Sequence, residues 1–190
     1  MGDSIVAGSP YWDPDPAVRE RIGAELDERS QWERWAEAAN PGVHVRNCGV
    51  YGERTDEIAR RLDACVAGAD ALVVQGGIND IAQRRPVETA AENLRAMVRR
   101  GRELGLATAI ANVLPWNNGD SDAEAAIRRL NLLIARLARE EGIAVLPFHE
   151  TLDDPGRSGQ MCAEWTAEGD HPSVEGYRLL GERAFRLPAA

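Results

Sequence analysis

Short apolar runs alternating with longer amphipathic ones constrain this chain more than any other feature. Val43–Asn47, Ala71–Gln75, Ala107–Ala111 and Ile143–Pro147 read as strands. The second and third are nearly continuous in apolar character, which is the pattern of strands covered on both faces. Helical stripes fill the gaps. Ile58, Leu62, Cys65 and Val66 make one. Val87, Ala90, Ala91, Leu94, Met97, Val98 and Leu104 make another, with Pro86 suited to its first turn. Ile127, Leu130, Leu133, Ile134 and Leu137 make a third, with Arg128, Arg129, Arg136 and Arg139 on the solvated side. Between Asp13 and Asn40, Val18, Ile22, Trp32, Trp35 and Ala39 suggest helix with a break, and Ser30 with Glu33 matches a capping box. A last helix follows Ser173. Strands separated by such helices imply βαβ units, a parallel sheet and helices on both its faces. In such sheets ligands bind beyond the carboxyl ends of the strands.

The 190 residues, 44% hydrophobic and 28% charged, suit one domain spanning 1–190 with a full core. No apolar run approaches the roughly 18 residues of a membrane span. The start, MGDSIVAGSP, lacks the basic and apolar regions of a signal peptide, so the cytoplasm is the default location. A net charge of −9 argues against nucleic acid and anionic membranes as partners and is silent about small neutral substrates. Cys48, Cys65 and Cys162 are odd in number and lack metal spacing, so no disulfide framework is expected; Cys65 is assigned to the core. His44 and His149 have no partner at ligand spacing, and no metal or cofactor is expected.

Four segments lie where such a sheet would put chemistry: Gly2-Asp3-Ser4, the run Asn47–Thr55 containing GVYGERT, Gly76-Gly77-Ile78-Asn79-Asp80, and Glu168–Ser173 containing GDHPS. Taken singly, each has an ordinary reading. Glycines after strands form turns, a lone serine near a terminus is surface, and a His before Pro is a loop residue. Taken together and in this order, they resemble the consensus blocks of the SGNH (GDSL-type) hydrolases along almost the whole chain.

That resemblance implies a three-layer, flavodoxin-like α/β/α fold. It also implies esterase, lipase, thioesterase or carbohydrate-deacetylase chemistry on a small-molecule ester. By it Ser4 is the nucleophile, His171 the base, and the oxyanion donors are the Ser4 and Gly52 N–H groups and the Asn79 side-chain amide. The chemistry is coherent. A serine hydroxyl needs an adjacent base, histidine can both take and return a proton, and fixed N–H dipoles stabilise the developing oxyanion. The family usually has aspartate three residues before the histidine; here Glu168 stands there and is favoured over Asp170 as the group that orients the ring. Five tryptophans against two phenylalanines suggest a walled pocket, with Trp12, Trp116, Asn117 and Tyr51 as candidate substrate contacts and Trp165 nearby. Asp3 and Asp80 read as loop-holding residues, and Arg54 as a partner for one of them or for an acidic substrate group.

A second departure concerns the sheet. In the family an apolar strand runs into the GDS block, between the strands here at Val43 and Ala71, whereas only Met1 precedes Gly2. Its absence predicts a slot about 9.6 Å wide, two strand spacings, edged by unpaired backbone. A start upstream of Met1, a strand from a neighbouring molecule, or a sheet that closes up would each answer it; the first is favoured. Other functions also remain open: an acyltransferase using the same serine, a non-catalytic binding domain on this fold, or a nucleotide-binding module, although no phosphate loop is present.

Overall fold

A computed structural model describes residues 1–8, 12–22 and 26–188. Helices α1 (Ser4–Ala7), α2 (Pro16–Ile22), α3 (Trp32–Ala39), α4 (Thr55–Arg60) and α5 (Leu62–Cys65) precede strand β1 (Ala71–Val74). Then follow α6 (Ile78–Ala82), α7 (Val87–Glu103), β2 (Ala107–Ala111), α8 (Ser121–Glu141), β3 (Ala144–Leu146), α9 (Phe148–Leu152) and α10 (Val174–Leu179), the last continuing into a π-helical turn over Leu180–Ala184.

The sheet is parallel in the order β1-β2-β3, with Ala71 opposite Ala107 and Ala109 opposite Ala144. Its two faces carry different cores. Leu72, Val74 and Ile110 pack with Leu94 and Met97 of α7 and with Leu130 and Ile134 of α8. Val73, Ala109 and Ala111 face the other way, onto Trp32 and Ala36 of α3, Phe148 of α9 and Tyr177 of α10. The result is the α/β/α sandwich that near-continuous apolar strands require.

Several local expectations hold. β2 falls on the expected residues, and β1 and β3 are each slightly shorter than expected. α8 starts on an Asp120 N-cap and ends at Gly142, whose φ of 67° suits a left-handed terminator. Others do not hold. The stripe Ile58–Val66 is two short helices broken at Arg61, and Pro86 is the cap of α7 rather than part of its first turn. Ser30 lies in a 3₁₀ turn and Gln31 caps α3, so no capping box forms there; the Gln31 amide instead donates to the Ala7 carbonyl at 2.9 Å.

The segment 43–47 is not a strand. A strand is defined by its partner, and at this edge only Gly2 pairs, bridging Gly49 in parallel. Met1 and Gly2 are the stub of a strand between Val74 and Gly49: the Met1 amino group donates to the Val73 carbonyl at 2.7 Å, and Gln75 N–H donates to the Met1 carbonyl at 3.1 Å. Residues 43–46 and β1 stand apart, lining a groove of about 740 Å³, so the sheet does not close up between them. The cysteine expectation is overturned at one pair. Cys48 and Cys65 form a disulfide with Cα atoms 6.2 Å apart, leaving Cys162 as a thiol. Among the described residues, no helix is long and apolar enough to cross a membrane.

Candidate active site

Ser4 opens α1 directly after the stub. Asp3 caps that single turn, its carboxylate accepting the Ile5 N–H at 2.9 Å, and burial pushes its acid group up to about 6. Asn47 braces the turn from outside. Its amide donates to the Val6 carbonyl at 2.6 Å while its oxygen accepts the Gly49 N–H at 2.8 Å. Gly49 permits this approach, because a Cβ there would lie 2.0 Å from the Ala7 nitrogen. The hydroxyl is thus carried on a short, over-determined turn, and Ser4 is only 7% exposed.

His171 comes from the far end of the chain. The loop bearing it is closed by the Ala167 N–H donating to the His171 carbonyl at 3.0 Å, and by the Thr166 hydroxyl donating to the same carbonyl at 2.9 Å. Ser4 Oγ and His171 Nε2 are 3.0 Å apart, and His171 Nδ1 hydrogen-bonds to Glu168 Oε1. With the proton on Nδ1, the ring donates to the carboxylate and accepts from the hydroxyl. Asp170 faces elsewhere, accepting Trp116 Nε1–H at 2.6 Å and the Asn118 amide at 2.8 Å. Of the two acids, Glu168 is the one in contact with the ring.

The other two blocks are tied to each other, and Tyr51 of the first lies near the His171 ring. Gly52 has φ 75° and open space where a side chain would be. Asn79, in the first turn of α6, donates one amide hydrogen to the Glu53 carbonyl at 2.9 Å, which ties it to the residue after Gly52 and leaves the second hydrogen for another acceptor. Asp80 holds the block from behind by accepting the Thr55 N–H at 2.9 Å and the Thr55 hydroxyl at 3.0 Å, the structural role expected of it. Arg54 pairs with Asp56 and Glu57 instead of Asp3 or Asp80.

The candidate substrate contacts divide. Tyr51 is 41% exposed, its ring centroid is 6.1 Å from that of His171, and its hydroxyl donates to the Gly8 carbonyl. Trp116 walls a 310 Å³ cavity with Ile81, Arg84 and Arg85. Asn117 has its amide taken up by the backbone of Met161, donating to the carbonyl at 2.9 Å and accepting the N–H at 2.6 Å, so it braces the loop. Trp12 lies under the Arg19 guanidinium at 4.5 Å; residues 9–11, which join it to the nucleophile turn, lie outside the described residues. Trp165 packs against the second core. His149 is structural, with Nδ1 2.9 Å from the Val113 carbonyl. Among the described residues no cluster of His, Cys, Asp or Glu is arranged to hold a metal.

Arg61 was not singled out from the sequence, where it reads as one more arginine on a helix face. It donates to the Cys48 carbonyl at 2.6 Å and to the Gly2 carbonyl at 2.8 Å, and it pairs with Glu53 at 2.6 Å. One side chain thus ties the nucleophile stub to the glycine loop. Nothing local in the sequence marks it, because the break between α4 and α5 where it sits is seen only in the structure.

The GDSL-like lipase/acylhydrolase family matches residues 1–179. The chain belongs to that family. Among solved structures, similar folds include a protein described as a lipolytic member of the G-D-S-L family from Desulfitobacterium hafniense (24% identity, TM-score 0.78, covering 96% of this chain and 93% of that one). The lipase/acylhydrolase from Enterococcus faecalis is similar at 24% identity and TM-score 0.69, over 95% of this chain and 88% of that one. An acetylxylan esterase from Geobacillus stearothermophilus is similar at 17% identity and TM-score 0.68, over 96% and 89%. No curated protein sequence matches. Family membership makes ester hydrolysis the general activity.

Proposed function

We propose that the protein is a serine esterase acting on short-chain carboxylic esters through an acyl-enzyme on Ser4. The observation that carries this reading is the 3.0 Å contact between Ser4 Oγ and His171 Nε2, with Glu168 on the other ring nitrogen. In the first half-reaction Ser4 Oγ attacks the ester carbonyl while its proton passes to His171 Nε2. Glu168 steadies the imidazolium. The negative oxygen is met by the N–H groups of Ser4 and Gly52 and the second amide hydrogen of Asn79. The tetrahedral adduct collapses, and the alcohol leaves with the proton from His171. Water repeats the sequence on the acyl group and frees the acid.

A short acyl group is favoured because the cavity that Gly52 lines is ringed by the charged side chains of Glu53, Glu57, Arg60 and Arg61, which suit a long apolar chain poorly. An acetylated sugar is the second reading. The exposed Tyr51 ring beside His171 is a stacking platform, and one structural neighbour is an acetylxylan esterase.

Steady-state hydrolysis of p-nitrophenyl acetate, butyrate and octanoate and of acetylated xylo-oligosaccharides tests both. Ser4→Ala is expected to lower kcat by at least about a thousandfold with an unchanged melting curve. Full turnover in that variant contradicts the mechanism. Equal rates on octanoate and acetate contradict the short-chain assignment. Adding a sugar acceptor separates transfer from hydrolysis by product analysis.

A further inference from the structure

The three oxyanion donors assigned above come from three separate segments: Ser4 after Gly2, Gly52 in the loop after Gly49, and Asn79 at the start of α6. Such donors stabilise a common oxygen only if their segments keep a fixed spacing. Main-chain pairing gives little to hold it. Gly2 and the glycine loop meet at one isolated bridge, in which Gly2 N–H donates to the Cys48 carbonyl at 3.4 Å and Val50 N–H donates to the Gly2 carbonyl at 3.1 Å.

Arg61 binds the same two carbonyls. Its Nη1 donates to Cys48 at 2.6 Å and its Nη2 to Gly2 at 2.8 Å, while Nε donates to Glu53 Oε2 at 2.6 Å. One planar group thus reaches the segment that leads to Ser4, the base of the glycine loop, and the residue after Gly52. The Glu53 carbonyl in turn holds the Asn79 amide. A guanidinium suits this task because its N–H groups diverge in a fixed plane, whereas an ammonium acts as a point charge. Arg61 and Glu53 are each about one-fifth exposed, so solvent screens their pairing less than that of an open surface pair. Four residues on, Cys65 is cross-linked to Cys48, which fixes α5 to the base of the loop.

Arg46 supplies an internal contrast. It too lays a guanidinium across two carbonyls, those of Cys65 at 2.9 Å and Ala67 at 2.8 Å, but neither belongs to the nucleophile segment or the glycine loop.

We propose that Arg61 is a positioning residue for the ester hydrolysis: acting through Gly2 and Glu53, it sets the Ser4 N–H at working distance from the Gly52 N–H and the Asn79 amide. The inference rests on the serine mechanism and the oxyanion donors proposed above. Displacement of a reacting geometry by about an ångström can cost on the order of a hundredfold in rate.

Steady-state hydrolysis of p-nitrophenyl acetate, at a temperature where every variant is fully folded, tests it together with amide hydrogen exchange. Arg61→Gln is expected to lower kcat by about tenfold to a hundredfold with KM little changed. Arg61→Lys, which keeps the charge and loses the planar fork, should fall between it and the wild type. Glu53→Gln, which weakens the anchor on the loop side, should lose a fewfold. Arg46→Gln should keep kcat within about twofold of the wild type. Exchange at the Val50 amide should quicken at least about tenfold in Arg61→Gln and stay unchanged in Arg46→Gln.

If Arg61→Gln does not fold, Arg61→Lys and Glu53→Gln carry the same test. Wild-type kcat in the folded Arg61 variants overturns the proposal, as does an equal loss in Arg46→Gln. A raised KM with kcat intact also overturns it, and makes Arg61 only a wall of the cavity it lines. Turnover that survives Ser4→Ala faults the serine mechanism and this inference with it. Turnover lost in Ser4→Ala but kept in Arg61→Gln faults this inference alone.

Discussion

Met1–Ser4 divides two regions that differ in how completely they are paired. Toward Ser4, almost every polar group has a partner: Asp3 caps its turn, Asn47 bridges Val6 and Gly49, Arg61 joins Gly2 to Glu53, and Glu168 and Ser4 hold the two nitrogens of His171. Away from Ser4, on the other side of Met1, the Glu33 carboxyl is buried without a hydrogen-bond partner. Buried unpaired polar groups each cost about 1–3 kcal/mol. The difference teaches that the reactive rim is held by local side-chain braces.

If the two regions are independent, rim substitutions should change turnover without changing stability, and groove substitutions should do the reverse. The largest effect is expected for His171→Ala, which removes the base and should lower kcat by about a thousandfold or more with an unaltered melting curve. Next is Glu168→Gln, which keeps the shape but leaves the imidazolium without its counter-charge. A loss on the order of a hundredfold in kcat with little change in KM is expected in steady-state kinetics. A mainly raised KM would move Glu168 from orienting the ring to binding substrate.

Cys65→Ser opens the cross-link between the groove rim and α5. Closing a loop of this size (sequence separation 17) contributes roughly 2–3 kcal/mol, so urea unfolding should shift by about that amount while kcat stays within a fewfold. A collapse of turnover would show that the rim does lean on the groove side. The smallest effect is the most diagnostic. Glu33 holds its proton more tightly folded, up to about 8, than unfolded, so folding is increasingly penalised as pH rises from about 4.5 to about 8. Glu33→Gln should therefore add stability at pH 8.5, by on the order of 1–2 kcal/mol, and little at pH 4.5. Paired melts at the two pH values check this, and an equal gain at both contradicts it.

The sequence made some of this legible and hid the rest for identifiable reasons. α7, α8, β1 and β2 could be read because their apolar spacing records burial directly, and the four blocks because together and in order they resemble a family's consensus. Val43–Asn47 has strand composition, but hydrogen-bonded pairing belongs to two segments and cannot be seen in one. Ser30 and Glu33 have capping-box spacing, yet Gln31 takes the cap because its side chain reaches Ala7, a contact 24 residues away in sequence. The Cys48–Cys65 pair depends on how α5 docks beside the glycine loop. Asn117 looked like a pocket residue because it follows a strand, but its amide is taken up by Met161, 44 positions on. Most of what failed was a statement about a distant partner; the break at Arg61 and the Pro86 cap are local exceptions.

The central claim is that the hydroxyl of Ser4 is activated by His171. Labelling with an organophosphonate, read by intact mass and peptide mapping, tests it most directly. One adduct per chain is expected, on Ser4, absent in Ser4→Ala and slowed at least a hundredfold in His171→Ala. No adduct, or one formed at the same rate without the imidazole, would contradict the account and leave the fold as a binding domain.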